Sequence, residues 1–188
     1  MWGVFIMKKV LVTLAPGFEE IETITVVDIL RRAGARVVIA ATQEGPVQGS
    51  RGVNVVADCL LKSVNEDEFD LIFLPGGQPG TTNLQNDPIV LSLLRKMNGS
   101  NKLVAAICAA PMVLQSAAIL NNKKVTSHPS VREKLNGVQY SEDRVMTDGN
   151  ILTSRSPGTA MEFAMKLVEV LFDKERVETV NNGVMARL

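Results

Sequence analysis

The residue type best suited to chemistry in this chain is Cys108. It lies in Ala105-Ala106-Ile107-Cys108-Ala109-Ala110-Pro111, where a strand-like apolar run gives way to a helix-like one. A helix starting there aims its free N–H groups and the positive end of its dipole at the sulfur. Such a position favours the thiolate, and predicts a thiol ionising about two or more units below the free value of ~8.5. The small neighbours leave room for a sharp, exposed turn of the nucleophile-elbow kind, with alanines where that pattern has glycines. The opposing reading is a buried structural cysteine that acts as a small hydrophobe.

Partners for such a sulfur can be named. Glu22 lies in the first or second turn of a predicted helix, close to Glu19 and Glu20, and only one of the three acids needs to face inward. A carboxyl beside a thiolate has its pKa raised by burial and like charge, which makes it a proton donor. The bland alternative is three solvated acids that compensate the helix dipole. Gly76-Gly77 ends another apolar run, and glycine there lets backbone amides approach a ligand. The Gly77 and Ala109 amides together suit an oxyanion. His128, in Thr126-Ser127-His128-Pro129, is the chain's only histidine, so cysteine–histidine chemistry must use it or do without. Alternatively it is an ordinary loop histidine. With one histidine and two cysteines, no zinc site is expected.

Arg51 and Arg155 are candidates for anion binding or for contacts between subunits. Ser154-Arg155-Ser156-Pro157-Gly158-Thr159 leads into a helix, and a helix start holds anions; a simple capped start is the stronger reading. Cys59 has no activating neighbours and reads as structural.

These residues need elements to position them. Lys9 to Leu14 (KVLVTL) has no polar face, as expected of a strand buried on both sides. Glu19 to Ala33 repeats apolar residues near helical spacing, with acids in its first turn, Arg31-Arg32 in its last and Gly34 at its end. Val37 to Ala41 is a second strand, completing a βαβ unit. Small strands are expected over 47–63, strands at Phe69–Leu74 and Leu103–Ile107, and helices at Pro88–Met97 and Ala109–Ala118. Asp148-Gly149 marks a hairpin within Val145–Thr153, Thr159–Phe172 is an amphipathic helix, and Asn181–Leu188 reads as a tail. The alternation specifies an α/β sandwich with a mostly parallel central sheet. Ligands then sit beyond the carboxyl ends of the strands, where the ends before Pro16, Gly76 and Cys108 should converge.

Composition narrows the function. The 188 residues suit one domain, and 46% apolar with 21% charged residues is ordinary globular usage. Twenty basic residues balance twenty acidic ones, which gives no electrostatic support to a nucleic-acid partner. Six Phe, one Tyr and one Trp are too few for base-stacking or sugar-stacking platforms. Two cysteines suggest a reducing compartment rather than a disulfide scaffold. No apolar stretch is long enough to span a membrane, and Met1–Met7 lacks a signal peptide's basic start. A cytoplasmic protein is expected, with Met7 the working initiator and residues 1–6 a dispensable extension.

The ordered motifs together resemble the ThiJ/PfpI superfamily, in its branch of parkinsonism-associated deglycases. The matching stretches are Leu14–Thr23 (LAPGFEEIET), Leu74–Gly77 (LPGG), Ala105–Pro111 (AAICAAP) and Leu152–Thr159 (LTSRSPGT). Val47–Arg51 and Val125–Pro129 match less specifically, and the likeness runs from Met7 to about Val180. It implies a flavodoxin-like three-layer sandwich that forms a homodimer and needs no cofactor. It places the family's reactive cysteine on Cys108, its carboxyl partner on Glu22, its backbone oxyanion donors on Gly77 and Ala109 beside Gly76, and its nearby histidine on His128. The activities it implies are glutathione-independent glyoxalase, deglycation of methylglyoxal adducts, chaperone action and oxidative-stress sensing. Two departures matter. Ala109 stands where peptidase members have histidine, so peptidase chemistry is not expected. Gly49 and Val56 occupy a stretch where animal relatives carry a second cysteine, so any redox role rests on Cys108. Two expectations follow: an enzyme acting on small α-oxoaldehydes, or a redox sensor and holdase without turnover.

Overall fold

The computed structural model describes residues 7–186; the expected extension at residues 1–6 lies outside them. In chain order the elements are β1 (Lys9–Leu14), α1 (Glu20–Arg32), β2 (Arg36–Ala41), β3 (Val47–Gln48), β4 (Asn54–Val55), β5 (Cys59–Leu60) and β6 (Leu71–Leu74). There follow α2 (Gly80–Asn86), α3 (Pro88–Gly99), β7 (Leu103–Ile107), α4 (Pro111–Ser116), β8 (Lys124–Val125) and β9 (Gln139–Tyr140). The chain ends with β10 (Val145–Asp148), β11 (Ile151–Ser154), α5 (Ala160–Leu171) and α6 (Lys174–Val184).

Seven strands form one sheet in the order β10-β11-β7-β6-β1-β2-β5, parallel except for the β10–β11 hairpin. Successive residues of the apolar strands feed opposite faces, as the two-residue period of a strand requires. Val10, Val12, Leu14 and Phe73 pack with α1, α5 and α6. Leu11, Ile72 and Leu74 pack with α2, α3 and α4. The fold is thus the expected α/β three-layer sandwich with a mostly parallel central sheet. From β1 the chain runs outward to β2 and β5, then returns to β6 on the other side of β1. That reversal opens a crevice beyond the strand ends, where such sheets bind ligands.

Three expectations need correction. The helix after Cys108 begins at Pro111, not at Ala109, because residues 108–110 form a turn and Cys108 has φ +63°. Residues 181–184 are not tail but the end of α6. That helix starts at Asp173, whose side chain accepts the Arg176 N–H at 2.8 Å. The helix α2 and the small β8–β9 pair have no counterpart in the sequence reading. No helix among the described residues is long and apolar enough to cross a membrane.

Candidate active site

The three strand ends converge as expected. At the first, the acids of α1 divide three tasks. Glu19 caps the helix by accepting the Glu22 N–H at 2.7 Å. Glu20 is buried and turns to the loop after β3, where its carboxylate accepts the Arg51 amide at 2.6 Å. Glu22 is fully buried and points into the crevice; its Oε2 accepts the Gly76 amide at 2.8 Å. Its Oε1 accepts from no group among the described residues.

At the second end, the Gly76-Gly77 turn lets Glu22 and Cys108 meet. A Cβ at Gly76 would stand 2.7 Å from the Cys108 Cβ and 2.8 Å from the Glu22 Oε2. Gly77 has φ +91°, and a Cβ there would meet backbone of Gly17 and Glu19 at 2.5 Å. Glycine is therefore required for space at the first position and for both space and conformation at the second. Replacing Gly76 by Ala should wedge the carboxyl from the sulfur. Overpacking of this kind costs ~1–3 kcal/mol, or roughly 2–12 °C in Tm for a chain this long. A melt and an iodoacetamide labelling rate check both parts; wild-type labelling in the variant would show that the wedge has no effect.

At the third end stands Cys108. Its left-handed backbone, sparsely populated for a residue with a side chain, is pinned from both sides. The Cys108 N–H donates to the Ser154 carbonyl at 2.9 Å, and its carbonyl accepts the His128 N–H at 2.8 Å. The sulfur is in hydrogen-bonding contact with the Glu22 carboxyl and receives the Ala109 and Gly77 amides. The two amides expected as oxyanion donors thus point at the sulfur.

The electrostatics differ from the helix-tip expectation. Burial, opposed by the Gly76 amide, pushes the Glu22 carboxyl up to about 7. The Cys108 thiol is pushed up rather than down: burial comes first, then the Glu22 charge and the bond to it, against the lowering effect of the Ala109 and Gly77 amides. The physical reason is that the helix starts three residues beyond the sulfur, whereas the carboxyl touches it. The pair therefore releases one proton near neutrality and holds the second far into alkali, so the first ionisation belongs to the two groups together.

His128 is half-buried in the wall of the same cleft. Its ring is engaged by Ser130 rather than by the thiol: Nδ1 lies 2.8 Å from the Ser130 Oγ and accepts the Ser130 N–H at 3.2 Å. Its hydrogen bond to Cys108 runs through the backbone. Arg51 and Pro157 also line the cleft, which encloses about 300 Å³. Arg155 is not there. It pairs with the Glu142 carboxylate at 2.7 Å and bonds the Glu142 carbonyl at 2.8 Å, an ion pair within the chain. The turn is capped by Ser156 and Thr159 themselves. Cys59 is half-buried on edge strand β5 and packs against the α2–α4 core, as a structural cysteine does.

Comparison with known proteins agrees over nearly the whole chain. The DJ-1/PfpI family profile matches residues 8–170. Protein dj-1beta of Drosophila melanogaster is 44% identical over 181 residues, covering 95% of this chain and 97% of that protein. The Parkinson disease protein 7 homolog of Danio rerio is 42% identical over 173 residues, covering 89% and 92%. The glutathione-independent glyoxalase DJR-1.2 of Caenorhabditis elegans is 39% identical over 176 residues, covering 92% and 94%. The crystal structure of Drosophila melanogaster DJ-1beta superposes with a TM-score of 0.93 at 43% identity, covering 96% of this chain and 98% of that one. Toxoplasma gondii DJ-1 in an oxidized form gives 0.90 at 39%, covering 95% and 98%. A profile spanning most of the sequence, and relatives of this identity over nearly its full length, show that this chain belongs to the DJ-1/PfpI family.

Proposed function

We propose that the protein is a cofactor-free, glutathione-independent glyoxalase of methylglyoxal-like α-oxoaldehydes, and that the same site removes early methylglyoxal adducts from proteins. The observation that carries this reading is the contact of the Cys108 thiol with a fully buried Glu22 carboxyl that is fixed by the Gly76 amide. Once the pair has lost one proton, the tautomer with the proton on Glu22 leaves a thiolate that faces the cleft. The sulfur attacks the aldehyde carbon, and the aldehyde oxygen becomes the anion of a hemithioacetal. The Gly77 and Ala109 amides, already aimed at this point, hold that oxygen. The carboxylic acid protonates it, and the resulting carboxylate carries the hydrogen from the aldehyde carbon to the neighbouring carbonyl carbon. A thioester results; water breaks its C–S bond and releases lactate. The aldehyde carbon is oxidised and the ketone carbon reduced, so no external oxidant enters. His128 forms a wall of the cleft and acts on the carboxyl–thiol pair through the backbone. The Caenorhabditis elegans relative named a glutathione-independent glyoxalase supports the assignment. The test is lactate formation from methylglyoxal with no glutathione, Tris or free thiol present; no lactate overturns it.

A second reading has its own support. The Toxoplasma gondii relative is known in an oxidized form, and a cleft-facing thiolate is the species oxidised to sulfenic and sulfinic acid. A protonated Glu22 would donate to a sulfinate oxygen and hold that state. Mild peroxide should add two oxygens to Cys108 and none to Cys59, as read by intact-protein and peptide mass spectrometry. Equal oxidation of both cysteines would remove the basis for sensing.

We further infer a homodimer closed by the outer face of α1. Ile21 and Ile24 are 57% and 44% exposed there, and Val53, whose backbone N–H donates to the Glu20 carboxylate of the same helix at 3.4 Å, is 51% exposed. Sedimentation equilibrium should give twice the chain mass of 20.4 kDa, and Ile21→Asp should give the single mass.

A further inference from the structure

We infer that Arg51 is a specificity-determining residue, held in the wall of the Cys108 cleft by the buried Glu20 carboxylate, and that it selects α-oxoaldehydes bearing a carboxylate of their own. The inference rests on the glyoxalase reading of the site and narrows its substrate class.

The starting point is a buried acid that the proposed chemistry does not use. Glu20 is 9% exposed, two residues from Glu22 but turned away from the sulfur. Its carboxylate gathers three donors from one turn: the Arg51 amide at 2.6 Å, the Ser50 hydroxyl at 3.2 Å and the Val53 amide at 3.4 Å. Burial alone would raise this carboxyl. The donors, led by the Arg51 amide, outweigh it and hold the group below the usual carboxylate range. The turn is tied down twice more, by Ser50 N–H to the Phe18 carbonyl and Gly49 N–H to the Val53 carbonyl, both at 2.8 Å. It is also fitted to the acid. A Cβ at Gly49 would stand 2.5 Å from the Glu20 Oε1.

The turn presents Ser50 and Arg51 to the cleft. Arg51 enters no ion pair among the described residues. The cleft's own acid, Glu19, has its carboxylate turned to the Glu22 N–H at 2.7 Å, at the positive end of α1. Arg51 is an exposed residue of the cleft wall with no ion-pair partner among the described residues, and a guanidinium matches a carboxylate in a fork geometry that a neutral substrate cannot use. Glu20 is thus a positioning residue. It never meets substrate, and acts by fixing the turn that carries the arginine.

The test compares neutral methylglyoxal with 4,5-dioxovalerate, an α-oxoaldehyde whose carboxylate lies two methylenes beyond the ketone. The sulfur forms a C–S bond to its aldehyde carbon, the aldehyde hydrogen moves to the ketone carbon, and water breaks the C–S bond to release 2-hydroxyglutarate. The wild-type protein should favour the anionic substrate up to about fivefold in kcat/KM, the upper worth of an exposed ion pair, chiefly through KM. Arg51→Met should bring the ratio of the two kcat/KM values to near one. Glu20→Gln and Gly49→Ala, which leave the arginine in place but disturb its turn, should lower the ratio in the same direction. A wild-type ratio of one, or a ratio unchanged in Arg51→Met, overturns the inference. If neither substrate turns over, the glyoxalase reading itself fails, and glutarate protection of Cys108 from iodoacetamide decides the subsite. Protection lost in Arg51→Met upholds the arginine's role, and no protection of the wild-type protein overturns it.

Discussion

Replacing Cys108 by Ser should lower lactate formation from methylglyoxal by roughly a thousandfold or more while leaving the fold intact, since removing a nucleophile leaves only positioning and oxyanion binding. Serine is close in size to cysteine, and the two backbone bonds that pin the left-handed turn, to Ser154 and His128, do not involve the side chain. The Ala109 and Gly77 amides would still receive an aldehyde oxygen. The variant loses an ionisable nucleophile near neutrality. The hydroxyl, as buried as the thiol and against the same carboxyl, has no route to the alkoxide, because Glu22 titrates only near 7 and the cleft holds no stronger base in contact with the residue. A melt within a degree or two of wild type, with lactate at the uncatalysed rate, is the expected pair of results. Turnover in the variant close to wild type would remove the sulfur from the mechanism and leave the cleft amides and Glu22 to explain it.

Much of this site can be read along the chain because strand ends are legible. Buried strands such as Val10–Leu14 and Val104–Ile107 have no polar face, and each is followed at once by residues a core would not use. That places Pro16, Gly76 and Cys108 at one edge before any coordinates exist. The division of labour among Glu19, Glu20 and Glu22 is not legible in the same way. Successive helical residues point about 100° apart, and which direction holds a cysteine and which a loop depends on strands distant in sequence. The direction of the thiol's shift is not legible for a related reason. The helix tip is a local feature, whereas the contact that raises the thiol runs from residue 22 to residue 108 across the sheet. A local signal for the late helix start does exist: Pro111 favours the first helical position, which leaves Ala109 and Ala110 to the turn. The pairing of Arg155 with Glu142 is not legible, because Glu142 sits in a loop with no recognisable period. The α6 helix had a readable stripe in Val177, Val180 and Val184 behind an Asp173 cap, but its polar residues mask it.

The second large effect concerns Glu22 and pH. Its carboxyl is raised from 4.5 to about 7 by burial in the folded protein. Between those values the unfolded chain has lost the proton and the folded chain keeps it, so the folded state binds more protons and stability must fall as pH rises. A difference of this size is worth about 3 kcal/mol, or roughly 6–12 °C in Tm for a chain this long. The window is nearly free of competing carboxylates. Glu20 is shifted in the opposite sense, so the stability it contributes is present above the ordinary carboxylate range and lost only as pH falls below it. The raised Cys108 thiol acts in alkali, above its ordinary 9.0. The wild-type Tm should therefore drop from pH 5 to pH 8, and Glu22→Gln should flatten that slope, since an amide keeps the bond from the Gly76 N–H without a titrating proton. The same variant tests the proton's location. In the wild-type pair either group can supply the first proton lost, so the first ionisation occurs at or below the pH at which the thiol alone would ionise beside a neutral carboxyl. With Gln only the thiol is left, and if the sulfur bears the charge the pH midpoint of iodoacetamide labelling should stay near 7. The high thiol value applies when Glu22 is charged, and an uncharged Gln removes that repulsion. A midpoint well above 7 in the variant would mean that the carboxylate rather than the sulfur bears the charge, and the nucleophile would have to be generated by substrate binding; a parallel fall of Tm in both proteins would mean that a group other than Glu22 sets the slope.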